Sequence, residues 1–245
     1  MNIVRYAAVT ALVMAPLGAF AADLPAKTAP KTPSMVTANS QAMAFYIEGQ
    51  LGMTQVMDLD TATYSGSVGG VTYTNTKATF DYKPAFAYGV EAGLARIGGS
   101  PVRLGLAYQG FTARVNKATG SGTFAYNGNT YNLSQTVSRA DLKSAGLDFD
   151  NRVGLYMVNA YYDFDLGNGW RPYVGAGIGL ANIEHAKNNE LALNGSLGVQ
   201  YDVTSNVYLG AKVQLSWVNG PKDKLGLTYD NVLATTAMLT VGTRF

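Results

Sequence analysis

The run LALNGSLGVQYDV, residues 191–203, alternates: Leu191, Leu193, Leu197, Val199 and Tyr201 share one parity, and Asn194, Ser196, Gly198 and Gln200 share the other. A period of two belongs to a strand with two unlike faces. After the turn-forming triplet Thr204-Ser205-Asn206 the pattern repeats in VYLGAKVQLSWV, residues 207–218. Val207, Leu209, Val213, Leu215 and Trp217 there oppose Tyr208, Gly210, Lys212, Gln214 and Ser216. Alternation alone does not say which face is interior. A soluble barrel would bury the apolar set and cover the other with Lys and Glu. Here the second set is mostly small and uncharged, which suits the crowded lumen of a narrow barrel and leaves the apolar set to face lipid.

Composition agrees. Charged residues are 14% of the chain, against roughly 25% in an ordinary soluble domain, and there are 28 Gly, 16 Tyr and no Cys. The net charge of +2 gives no reason to expect nucleic acid as a partner. Met1 to Ala21 has an Arg near its start, the apolar stretch AAVTALVMAPLGAF and the small-residue end Ala19-Phe20-Ala21, the pattern of a secretory signal peptide. Residues 22–43 form a Pro-, Lys- and Thr-rich tail expected to be flexible and periplasmic. Residues 44–245 carry the barrel. Beyond the signal no run of 18 apolar residues exists, so the chain can cross a membrane only as a closed sheet in which every backbone amide is paired.

Eight runs fit that role: Ala44–Met57, Pro84–Ile97, Val102–Val115, Arg152–Leu166, Trp170–Ile183, Leu191–Val203, Val207–Val218 and Val232–Phe245. Each exceeds the roughly 9 to 11 residues that a tilted strand needs to cross the hydrocarbon. Their connections alternate between short turns at 98–101, 167–169 and 204–206 and long segments at 58–83, 116–151, 184–190 and 219–231. The expected fold is therefore an all-β, eight-stranded, antiparallel, up-and-down transmembrane barrel with turns and both termini on the periplasmic side. Aromatics on the apolar face sort to strand ends. Phe45, Tyr162, Phe164, Trp170, Tyr201 and Phe245 fall at the turn end, and Phe86, Tyr88, Tyr108, Tyr156 and Trp217 at the loop end, where two bilayer interfaces would lie. The long segments YSGSVGGVTYTNT and GSGTFAYNGNTYNLS carry patches of strand pattern and are expected to form hairpins projecting beyond the bilayer.

AADLP at 21–25, RPYVGAGIGLA at 171–181 and LTVGTRF at 239–245 resemble the small porin-like outer-membrane barrel family common in alphaproteobacteria, which includes haemin-binding surface antigens. The chain is more distantly similar to the OmpA transmembrane domain and OmpX. The resemblance implies a structural surface protein, antigen or adhesin of a Gram-negative envelope, with a small channel or a haem or host-ligand binder as alternatives. It implies that Phe245 is part of the signal read by the barrel-assembly machinery, although the large residue usual two positions earlier is Thr243 here. It also raises a covalent peptidoglycan tether through an Ala22-Asp23 terminus, beside the plain reading of a linker.

No catalytic constellation, metal set or cofactor site is expected. Glu48, Glu91, Arg103 and Lys212 fall on the interior parity at mid-strand, with Asp163, Arg171, Asp202 and Arg244 towards the turn end. They are expected to pair as a plug that fills the lumen, the alternative being a gated proton or ion path. His185 is the single histidine and lacks a nearby Ser or a second His. With Tyr64 and Tyr73 it remains a weak candidate for haem. Arg114 and Arg152 bracket the longest loop on the lipid-facing parity, where they could pair with lipopolysaccharide phosphates or simply snorkel to the interface.

If Phe245 serves assembly, its removal should slow insertion more than it weakens the finished barrel. Surface levels of the shortened chain measured by whole-cell labelling check this, and normal levels would refute it.

Overall fold

The computed structural model describes residues 43–146, 149–222 and 228–245. Residues 1–42, with the expected signal peptide, Ala22 and Asp23, lie outside them. Among the described residues the chain forms twelve strands and a single short α-helix. The strands are β1 (Ala44–Val56), β2 (Leu59–Asp60), β3 (Tyr64–Val68), β4 (Val71–Lys83), β5 (Ala85–Ala95), β6 (Val102–Tyr126), β7 (Asn129–Ser138), β8 (Asn151–Asp163), β9 (Trp170–Ile183), β10 (Glu190–Asp202), β11 (Val207–Val218) and β12 (Val232–Arg244); α1 is Arg139–Ser144.

Eight of these strands close a ring. β5 pairs β1 and β6, β8 pairs β6 and β9, and β9 to β12 follow in order, all antiparallel. Pairing of β12 with β1, from Tyr46 opposite Arg244 to Val56 opposite Ala234, removes the last free edge. The eight-stranded ring is the one read from the alternating runs.

The faces separate as lipid demands. Leu197, Leu239, Ile178, Leu209 and Val241 are exposed, whereas Asn194, Ser196, Gln200, Gln214 and Thr236 are buried. Aromatic rings gather at both strand ends, with Trp170 on Tyr201 at 4.9 Å and Tyr162 on Phe164 at 5.0 Å at the turn end. At the loop end Tyr88, Tyr108 and Tyr156 form a row with centroids 6.2 and 5.1 Å apart.

The structure differs from the sequence expectation in where the strands stop. β6 does not end near Val115: it pairs with β8 as far as Ala113 and then continues to Tyr126. The continuation, about 40 Å at ~3.3 Å per residue, pairs with β4 on one side and β7 on the other. β2 and β3 complete this outer sheet by pairing with β4. Pro84 separates β4 from β5; without an N–H it cannot donate to a ladder, so the strand is interrupted where it leaves the ring. The two outer hairpins turn at Gly69-Gly70 and Asn127-Gly128, all four with positive φ, the geometry that matches the twist of a two-residue hairpin.

Glycine content follows from the lumen. Tyr161 faces Gly175, Tyr173 faces Gly198, and Tyr208 faces Gly242 in the pairing register of neighbouring strands. In each case the phenol ring lies across the glycine: a Cβ would come within 2.2 Å of Tyr161 Cδ1, 2.3 Å of Tyr173 Cζ and 2.2 Å of Tyr208 Cζ respectively. An eight-stranded interior accepts a ring only where the adjacent strand has no side chain. Gly198→Val should therefore displace Tyr173 and overpack the lumen, costing about 1–3 kcal/mol or more. The folded band on unheated detergent gels should be lost at a clearly lower temperature than in the parent chain. Gly195→Val, at a position with open space around it, should leave the transition in place.

Candidate functional site

The lumen is filled by side chains that bond to one another. Arg103, 1% exposed, donates from Nε to both carboxylate oxygens of Asp163 at 3.0 and 3.1 Å. Its guanidinium carbon lies over three phenol rings, 4.4 Å from the centroid of Tyr161, 4.8 Å from Tyr173 and 5.2 Å from Tyr46. Two of those tyrosines turn their hydroxyls to one acid, Tyr46 donating to Glu91 Oε1 at 2.5 Å and Tyr161 to Oε2 at 2.7 Å. Asn159 adds a third donor at 3.0 Å and accepts in turn from Asn194 at 3.1 Å.

Glu48 stands directly across from Glu91 in the β1–β5 register, an arrangement that is unfavourable unless each carboxylate has its own partners. Gln50 and Gln200 supply them for Glu48, at 2.9 and 3.3 Å. Lys212, 4% exposed, donates to Gln50 Oε1 at 2.9 Å. The mid-lumen residues Glu48, Glu91 and Lys212 are thus held by amides and phenols rather than by direct ion pairs. The ion pairs lie towards the turn end, where Asp202 accepts from Arg171 and, at 2.8 Å, from Arg244, and Arg103 meets Asp163. Four basic and four acidic groups share the interior, so their formal charges balance.

Towards the loop end the network becomes neutral. Gln214 donates to Gln109 at 2.9 Å and to Ser216 at 3.0 Å, Gln109 donates to Thr236 at 3.2 Å, and the hydroxyls of Thr54 and Thr236 are bonded. Above this layer the interior turns apolar. Val56, Phe111, Leu155 and Val218 belong to one buried cluster with Phe80, Tyr82 and Leu142, contributed by the outer sheet and α1. Burial, then Tyr229 and the Asp150 carboxylate, push the Tyr82 phenol up, so it stays protonated. The loops above are tied to one another by backbone bonds. Ala62 N–H donates to Thr228 O at 2.9 Å, Asp230 N–H to Asp60 O at 2.9 Å, and Lys187 N–H to Lys222 O at 2.8 Å. Arg139 of α1 grips Asp150 through both its terminal nitrogens at 2.5 Å, which holds that carboxyl below its ordinary value.

The other residues singled out from sequence occupy several separate places. His185 is exposed and its Nδ1 is 2.8 Å from Asn151 Oδ1. Tyr64 Oη accepts from Thr228 N–H at 2.8 Å, and Tyr73 packs across Gly66 in the outer sheet. The three are not gathered into one site. Among the described residues no three His, Cys, Asp or Glu cluster as a metal site would require. Arg114 and Arg152 are both exposed and line one outward cleft with Tyr88, Tyr108, Tyr156 and Glu184. Phe245 is 67% exposed and its N–H donates to Phe45 O at 2.9 Å. The tyrosine cage around Arg103 was not picked out from sequence, although Tyr46, Tyr161 and Tyr173 share parity with the interior charges and each adjoins an outward apolar residue.

Outer membrane protein PagN of Salmonella typhimurium is 31% identical over 87 residues, which is 29% of this chain; the chain spans about a third, 36%, of that relative. Neisserial surface protein A aligns at 16% identity with a TM-score of 0.49, over 82% of this chain and 97% of that structure. OprG of Pseudomonas aeruginosa aligns at 15% identity with a TM-score of 0.46, over 84% and 97%. A protein-family model described as surface antigen matches residues 33–241. With most of its length matched in this way and its strands closed into a ring, the chain belongs to the surface antigen family and is an outer-membrane β-barrel.

Proposed function

We propose that the protein is a sealed display barrel, a membrane scaffold that carries the β3–β4 and β6–β7 hairpins outside the cell and conducts no solute through its lumen. The successive layers of buried, hydrogen-bonded side chains that fill the interior between the level of Asp202 and that of Ser216 carry this reading. Its central members Glu48, Glu91, Arg103, Gln109, Lys212 and Gln214 are each at most 4% exposed. An eight-stranded barrel has room for side chains and little else. The work then falls to the outer hairpins, where Val68, Tyr126, Tyr131 and Leu133 present large apolar groups more than half exposed. Aromatic and apolar residues on an outward surface are the types that contact surfaces favour. An adhesin-like or antigenic role uses those hairpins and leaves the lumen closed. Purified protein in planar bilayers should give no steady conductance, and stepwise openings from the folded chain would overturn the sealed-barrel reading.

The outward cleft supports a second assignment, to lipopolysaccharide. Arg114 and Arg152 lie beside the tyrosine row of the loop-end belt, so two guanidinium groups stand at headgroup level. Arginine binds phosphate in a bidentate, charge-assisted way. Added lipopolysaccharide should raise the temperature at which the folded band is lost. The double variant Arg114→Ala/Arg152→Ala should lose more than half of that increment while keeping its transition in detergent alone. An undiminished increment would identify the pair as ordinary interface residues.

A further inference from the structure

The apolar layer at the loop end does not fill its space. It encloses a cavity of about 400 Å³, within the range of roughly 300 to 1,000 Å³ typical of small-molecule sites. The lumen below holds four basic and four acidic groups, yet no Asp, Glu, Lys or Arg lines this cavity among the described residues. Its walls come from the ring and from the outer sheet together: Phe111 and Leu155 from strands that cross the membrane, Phe80 from β4, and Phe149 and Tyr229 from the long loops. Phe80 stands 5.4 Å from Phe149 and 6.1 Å from Tyr229, ring to ring, so one wall is a tilted aromatic surface.

The polar side chains of the lining are few: the phenols of Tyr82 and Tyr229 stand in the aromatic wall, and Ser216, Asn151 and His185 complete the set. Ser216 lies at the base, where it accepts from Gln214, and the glutamine layer beneath closes the way to the periplasm. At the other end Asn151 and His185 are bonded to each other, and among the described residues of the lining only His185 is exposed. The result is a blind apolar cup with a polar floor and a polar lip. An empty apolar cavity destabilises a fold in proportion to its volume and repels water, and such cavities take up apolar molecules of matching size.

We propose that this cup binds a small, uncharged, predominantly apolar molecule, aliphatic or aromatic, that enters from outside and turns any hydroxyl or carbonyl group towards Asn151 and His185. Ionised ligands are disfavoured because the described walls carry no Asp, Glu, Lys or Arg and would strip their hydration. The assignment goes beyond the display role: a sealed lumen makes the cup a terminus rather than a passage.

The absence of cysteine from the chain provides the test. A single cysteine placed in the wall by Ala234→Cys, in the full chain reconstituted into lipid nanodiscs, is alkylated with N-ethylmaleimide while 1-naphthol is titrated in. Saturable protection is expected, with at least a tenfold slower reaction at saturation, and 1-naphthalenesulfonate at the same concentrations should give none. A cysteine at the hairpin tip, Val68→Cys, should react at an unchanged rate throughout. Filling the cup with Ala113→Phe, or with Ala113→Leu should the larger residue prevent folding, should abolish protection in the Ala234→Cys background. Equal protection by the sulfonate, equal effects at the tip, protection that survives filling, or a wall cysteine that never reacts would each overturn the proposal.

Discussion

A sheet in hydrocarbon can have no edge, because an unpaired amide there costs several kcal/mol. Pairing of β1 with β12 meets that requirement, and most of the molecule follows from it. Closing eight strands fixes a lumen narrow enough for side chains to fill across most of its length. Lipid outside takes the apolar residues, so the polar ones turn inward, reversing the arrangement of a soluble protein. Interior tyrosines then need glycines opposite them, which accounts for the pairing of Tyr173 with Gly198 and Tyr208 with Gly242.

Burying charge in such a space is costly and has to be offset by partners. Arg103 has two kinds: its Nε bonds Asp163 and its face lies on three phenol rings, while its Nη2 is buried without a hydrogen-bond partner. A desolvated cation over an aromatic ring gains about 2 kcal/mol, and removing one partner from a buried charge pair costs roughly 3–5 kcal/mol. Two of the phenols that hold Arg103, Tyr46 and Tyr161, donate to Glu91, so cation and acid are joined through neutral rings rather than by touching. Such a network confers rigidity only as a whole, since the loss of one member leaves several others unsatisfied.

How much of this could be read in the sequence depends on which physical rule wrote it. Strand faces were legible because a period of two survives any detail of packing: Leu197 and Ser196 declare their sides at once. The extent of β6 was legible only in part: the strand pattern of GSGTFAYNGNTYNLS gave the projecting hairpin that β6 and β7 form, but beyond Ala113 neither face meets lipid, so no apolar alternation showed that the hairpin continues the membrane strand without a break. Parity placed Glu48, Glu91, Arg103 and Lys212 in the lumen, yet their partners depended on how far long side chains reach across strands. The phenols of Tyr46 and Tyr161 were hidden behind the expectation that tyrosine marks the interface. The cup at the mouth was the least visible feature, since Phe80, Phe149 and Tyr229 lie far apart in polar-looking loops and meet only after the outer sheet folds over the ring.

The way the loops are fastened has a consequence for how this surface can change over generations. Asp60 and Ala62 are joined to Asp230 and Thr228 through peptide groups, which are the same in every residue. Such fastening does not read side chains. The outward positions of β3 and β7 can therefore accept substitutions while the register of the loops persists, provided the turns at Gly69-Gly70 and Asn127-Gly128 keep residues that tolerate positive φ. Substitution is thus tolerated more readily on the outer hairpins than in the ring, where Tyr161, Tyr173 and Tyr208 each lie across a glycine that has no room for a side chain.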